Sequence, residues 1–116
     1  MEILIILQDG PYGSERAYQA LRMADALLKM EDDLDLTVYL TGDGVACAKS
    51  GQKTPNGFYN VERMLKPVVR KGMVMACRRC MEARGIEESD LLDGVRQVRL
   101  AEAATQVLDA DKVLHY

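Results

Sequence analysis

Met1-Glu2-Ile3-Leu4-Ile5-Ile6-Leu7-Gln8, followed by Asp9-Gly10-Pro11-Tyr12-Gly13-Ser14, decides the fold. The run Ile3–Leu7 has no polar residue on either pleat face, as a strand covered on both sides requires. Asp9–Gly13 is a turn cluster. Ser14 then suits a helix N-cap, with Glu15 complementing the positive end of the helix dipole. Ala17, Ala20, Leu21, Ala24, Leu27 and Leu28 recur at helical spacing and define a buried stripe. A strand, a tight turn and an amphipathic helix make the opening of a βαβ unit.

The rest of the chain repeats that alternation. Asp35–Leu40 reads as a second strand ending at Thr41-Gly42-Asp43-Gly44, with Asp43 as the N-cap of a short helix over Val45–Lys49. Gly51–Gly57 is a polar loop. A further helix starts near Asn60, carries Val61, Met64, Leu65 and Val68 on one face, and is expected to kink or end early at Pro67. Gly72 closes it, and Met73–Ala76 gives a third strand. Cys77–Arg84 reads as helical up to Gly85, Ser89–Leu92 as one turn, and Gly94–Val98 as a weak fourth strand. Leu100, Ala103, Ala104, Val107 and Leu108 stripe a last helix, and Lys112–His115 is the final strand. Strands alternating with helices predict a parallel sheet, and right-handed crossovers place the helices on its two faces. At 116 residues, with no linker, repeat or low-complexity tract, the expectation is a single α/β domain over 1–116.

Composition narrows the function classes. Net charge is −3, from 15 basic and 18 acidic residues, and basic residues adjoin only at Arg70-Lys71 and Arg78-Arg79. Nucleic-acid binders carry a basic stripe, because affinity comes largely from phosphate neutralisation. No nucleic-acid partner is expected. The longest apolar run, Ile3–Leu7, is far short of the ~20 residues that span a bilayer. The amino-terminal segment lacks a basic n-region and a small-residue cleavage site, so no membrane partner is expected and the reading is cytoplasmic. Three cysteines, an odd number, argue against a secreted disulfide framework.

In such sheets ligands bind outside the carboxyl ends of the strands, where Asp9–Ser14, Thr41–Cys47 and Cys77–Cys80 fall. Cys77 stands where a strand hands over to a helix. Backbone amides at the helix start, together with Arg78 and Arg79, are expected to favour its thiolate, the nucleophilic form. Cys80, three residues on, lies on nearly the same helical face as a resolving thiol. Cys47 reads as a buried, inert cysteine, and His115 as a hydrogen-bonded terminal residue rather than a base. Structural zinc needs four ligands, which only Cys47 and His115 could complete, so neither a metal nor a cofactor is expected. Gly10, Tyr12 and Gly13, with Gly42 and Asp43, are first of all turn formers; their functional alternative is the wall of an anion pocket beside Cys77.

These residues also carry a family resemblance. The loop Asp9–Gly13, the turn Thr41-Gly42-Asp43-Gly44-Val45 and the loop Gly51–Asn60 before a helix occur in order. They are followed by Cys77-x-x-Cys80-x-x-x-Arg84-Gly85 and Ala110-Asp111-Lys112-Val113-Leu114. In that order the chain resembles the DsrE/DsrF-like sulfur-relay family, in its small YchN-like branch. The resemblance implies a three-layer α/β/α sandwich with a five-stranded, mostly parallel sheet, and assembly into homotrimers or homohexamers. It also implies a cysteine that accepts sulfane sulfur as a persulfide from a donor protein and relays it to an acceptor protein. The active cysteine of relay members lies eight residues before the glycine that ends its helix; Cys77 stands so before Gly85, and Cys80 matches the second thiol of the branch. The expected function is therefore a sulfurtransferase-like persulfide carrier using Cys77 and Cys80. Two rivals remain: an oligomeric module binding a small anion or nucleotide, and a CxxC thiol–disulfide redox protein.

Overall fold

A computed structural model describes residues 1–116. Five strands, β1 (Glu2–Leu7), β2 (Asp35–Leu40), β3 (Met73–Cys77), β4 (Arg96–Val98) and β5 (Lys112–His115), form one sheet in the order β4-β3-β2-β1-β5. Every pairing is parallel. Four α-helices connect them: α1 (Arg16–Met30), α2 (Val61–Lys71), α3 (Arg78–Ala83) and α4 (Leu100–Asp109). The chain steps from β1 to β4 in one direction and returns in a single crossover to place β5 beside β1. Right-handedness then puts α4 on the face opposite α1 and α2, which pack on each other.

Register assigns residues to those two faces. Leu4, Thr37 and Met73 lie side by side across β1, β2 and β3, and the Thr37 hydroxyl meets the Gln106 amide oxygen of α4 at 3.5 Å. Period-two alternation carries Tyr39, Met75, Cys77 and Val98 to the same α4 face. The opposite face, with Ile3, Ile5 and Leu7, faces the stripe Ala17, Ala20, Leu21, Ala24 and Leu28 of α1. All of these belong to one contiguous core of 30 buried residues.

Several boundaries differ from the sequence reading. Helix α1 opens at Arg16 with Glu15 in the cap position, yet Ser14 does the capping chemistry, its hydroxyl accepting from the Arg16 amide at 3.2 Å and donating to Asp9 at 2.6 Å. The short helix after β2 is a 3-10 turn over Gly42–Ala48 capped by Thr41, so Asp43 is not its N-cap. Cys77 ends β3 rather than opening the helix. Pro67 does not end α2, which runs four residues past it to Lys71. A proline removes one backbone donor, and the buried anchors Val61, Leu65 and Val68 hold the remaining turns against the sheet. Gly44 allows the 3-10 turn to close down on β1: a Cβ there would collide with the Leu7 carbonyl. The Gly44 amide accordingly reaches the Gln8 carbonyl at 3.1 Å.

Candidate active site

At the carboxyl ends of β2, β3 and β4, on the α4 face, a cleft of about 730 Å³ has Tyr39, Thr41, Cys77 and Cys80 in its wall. Arg78 and Arg79 border it from α3, and Arg99 and Leu100 from the start of α4; Glu82 is its one acidic residue. Its position follows from the topology. α3 is six residues long and α4 crosses to the far side of the sheet, so neither helix covers the strand ends between them.

Cys77 caps α3, but its side chain makes no capping hydrogen bond. The helix-start amides therefore do not hold its sulfur, contrary to expectation, because strand alternation turns the Cys77 side chain onto the α4 face beside Tyr39. Burial first, and then a hydrogen bond with Cys77, push the Tyr39 phenol up to about 12, against a smaller opposing effect of Thr41. The Tyr39 hydroxyl stays protonated and available as a donor.

The amide that does reach a sulfur belongs to Gly42, and the sulfur is that of Cys80, at 3.2 Å. The Thr41 hydroxyl lies 3.5 Å from the same atom. Burial of Cys80 opposes ionisation, but hydrogen bonds from Cys77, Thr41 and Gly42, with the charge of Arg84, outweigh it and hold the Cys80 thiol below its ordinary value. Arg84, not Arg78 or Arg79, is thus the arginine that acts on a sulfur. It also bridges the turn and the helix: its Nε donates to the Asp43 carboxylate at 3.0 Å, its Nη2 lies 2.9 Å from the same oxygen as an ion pair, and its Nη1 donates to the Cys80 carbonyl at 3.0 Å. Arg78 instead lies 3.7 Å from Glu82.

The structure brings together Cys77, Cys80, Arg78, Arg79 and, through its amide, Gly42. It separates the others. Gly10, Gly13 and Asp43 border a different hollow beside Arg84. The Tyr12 hydroxyl donates to Gln52 and accepts from the Val61 amide, which makes Tyr12 a brace between two loops and α2. Neither Gly10, Gly13 nor Tyr12 walls the cysteine cleft. The reason is the sheet order: β1, which delivers the Asp9–Gly13 loop, is two strands from β3.

Cys47 is fully buried, with its thiol facing the Asp9 carbonyl at 3.5 Å, and burial together with the Asp9 charge pushes it up to about 12. His115 shares a hydrogen bond with Gln8 at 2.9 Å, away from the cleft. Tyr39 and Arg99 were not singled out from the sequence, and Thr41 and Arg84 appeared there only within the turn and the cysteine motif, without a role at a sulfur. A strand-terminal Tyr-x-Thr and an arginine four residues after a cysteine were the available signals.

Comparison with known proteins gives the same architecture. The DsrE/DsrF-like family model matches residues 1–116. The chain is 40% identical over 116 residues to protein YchN of Escherichia coli (strain K12), covering 99% of this chain and 98% of that protein. The crystal structure of the E. coli ychN protein superposes with a TM-score of 0.94 at 38% identity, over 100% of this chain and 99% of that one. MTH1491 of Methanobacterium thermoautotrophicum, a protein of unknown function, shares the fold at 13% identity, with a TM-score of 0.80 over 99% of this chain and 98% of its own.

Proposed function

The chain belongs to the DsrE/DsrF-like family, and from that premise we propose that it is a sulfur carrier, taking up sulfane sulfur as a persulfide on the Cys77–Cys80 pair and passing it on. The observation that supports this is the presence of two thiols, Cys77 and Cys80, in the wall of one open, arginine-bordered cleft. A carrier needs a thiolate nucleophile, access for a donor, and cationic groups to steady an anionic sulfur. Cys80 with its Gly42 and Thr41 contacts answers the first need, the cleft the second, and Arg84 the third, with Arg79 and Arg99 bordering the cleft where a donor would enter. By the spacing that carries the resemblance, Cys77 corresponds to the persulfide cysteine of relay proteins and Cys80 to the second thiol.

The partners of this reading are a donor and an acceptor protein, docking where Leu100 stands exposed at the mouth of the cleft. Copies of the chain are proposed to associate as trimers or hexamers, which would bury other exposed apolar side chains such as Leu108 and Phe58. Light scattering at micromolar concentration tests this, and a purely monomeric protein would oppose it. No helix is long and apolar enough to cross a membrane; the proposed location is the cytoplasm.

Intact-protein mass spectrometry after incubation with a persulfide donor tests the carrier reading. The native protein is expected to gain the mass of one sulfur atom, and a Cys77→Ser/Cys80→Ser double variant, which keeps Cys47, is expected to gain none. Two free thiols lining one cleft also favour a second reading, thiol–disulfide exchange. A protein that forms a reversible Cys77–Cys80 disulfide and takes up no sulfur would establish that reading instead.

A further inference from the structure

Sequence position marks Cys77 as the reactive sulfur, whereas the surroundings of the two thiols favour its neighbour. We propose that the Thr41-Gly42 turn is a sulfur-anion cradle that favours the Cys80 thiolate, so that Cys80, with Cys77 beside it, is the thiol that attacks the donor first. The inference rests on the sulfur-carrier reading and adds the order in which the sulfurs act.

Two groups reach the Cys80 sulfur, and a third holds its backbone in place. The Gly42 amide, 3.2 Å away, can only donate, so it favours a thiolate over a thiol. Its aim depends on the left-handed backbone of Gly42 (φ +56°), which a side chain would strain. The Thr41 hydroxyl, 3.5 Å away, is free to rotate its proton toward the sulfur. Arg84 fixes the geometry from the other side, tying the Cys80 carbonyl to Asp43 within the same turn. Cys77 has no amide on its sulfur. It lies beside the Tyr39 phenol and is 9% exposed, whereas Cys80 is partly open.

The other charged groups around the cleft leave this ranking in place. Arg78 of α3 is engaged by Glu82, and the Arg84 charge is shared with Asp43. Arg79 and Arg99 form no ion pair within the chain and border the cleft where an incoming anionic donor would sit.

The step balances without an added oxidant or reductant. The Cys80 thiolate attacks the outer sulfur of a donor R–S–SH, and a Cys80–S bond forms as the donor S–S bond breaks. The electron pair of the broken bond leaves with the donor thiolate, and the proton travels with the transferred sulfur. Charge moves from Cys80 to the donor, and the sulfane sulfur keeps its oxidation state.

Rapid-mixing uptake of sulfur from glutathione persulfide, read by intact mass, tests the order on native protein, Cys77→Ser, Cys80→Ser and Thr41→Val. Cys77→Ser is expected to retain the initial uptake, and Cys80→Ser to slow it by about tenfold or more. Thr41→Val is expected to slow uptake at neutral pH about fivefold, the worth of one hydrogen bond, and to move its pH midpoint upward. If Cys77→Ser loses uptake while Cys80→Ser keeps it, the cradle proposal is overturned and the carrier reading stands. Native protein that gains no sulfur overturns the carrier reading. Site-resolved iodoacetamide alkylation across pH then decides the cradle separately: a lower midpoint at Cys80 than at Cys77 supports it, and an equal or higher one overturns it.

Discussion

A thiol reacts to the degree that its surroundings prefer the anion, and the three cysteines of this chain differ in that respect. Cys47 is sealed in the core with only a carbonyl for company, which favours the neutral thiol. Iodoacetamide is expected to leave Cys47 unmodified in the native protein and to label it on unfolding in guanidinium; labelling of folded protein at Cys47 would contradict the burial argument. Cys80 differs because donors surround it. Replacing Arg84 by Met removes a cation beside the sulfur and unties the turn from α3. Its expected effect is a Cys80 alkylation midpoint shifted up toward the ordinary thiol value of about 8.5. The linkage sign follows from the lowered native value. Ionised Cys80 contributes stability above the ordinary thiol pKa, and that contribution fades as pH falls through the native value.

At the scale of elements, the turn after β2 and the helix α2 each depend on one residue. Gly44 lets the 3-10 turn sit against the end of β1, and a methyl group there meets the Leu7 carbonyl rather than a flexible side chain. Gly44→Ala is expected to cost about 1 to 3 kcal/mol, measured by chemical denaturation, and to slow sulfur uptake by moving the Thr41-Gly42 cradle. Pro67 acts in the opposite sense. It leaves the Arg63 carbonyl without its helical donor in the middle of α2. Pro67→Ala restores that bond, while the unfolded chain gains freedom. The net expectation is a stabilisation of about 1 to 2 kcal/mol, and an unchanged denaturation midpoint would show that packing around the ring already compensates.

For the whole molecule, two buried acids set the alkaline limit. Both Cys47 and Tyr39 are pushed up to about 12 by burial. The unfolded chain releases these protons at lower pH than the native one, so stability falls as pH rises from roughly 9 toward the native values. Cys47 alone removes roughly 1.4 kcal/mol per pH unit in that window. Stability measured at intervals from about pH 8 to 11 is expected to decline less steeply in Cys47→Ala than in the native protein. Parallel slopes would mean that Cys47 titrates normally.

The strand and helix order and the parallel sheet were legible in the sequence, because each rests on local periodicity. An unbroken apolar run such as Ile3–Leu7 has to be covered on both faces, and the stripe of α1 supplies one cover. The site was legible in part. Cys77 and Cys80 stand out by spacing, and Gly85 by the turn it closes. Which thiol is favoured as the anion was not legible, because it depends on the Gly42 amide, 38 residues away in the chain, and on an arginine tied to Asp43. The same dependence on strand order places Gly10, Tyr12 and Gly13, read first as turn formers, at the carboxyl edge of the sheet but away from the cleft. Sequence alone determines which segments become strands and helices, since that is decided within a few residues. Only the tertiary structure decides which loops meet over a sulfur, since that depends on strand order and on the face to which each crossover carries its helix.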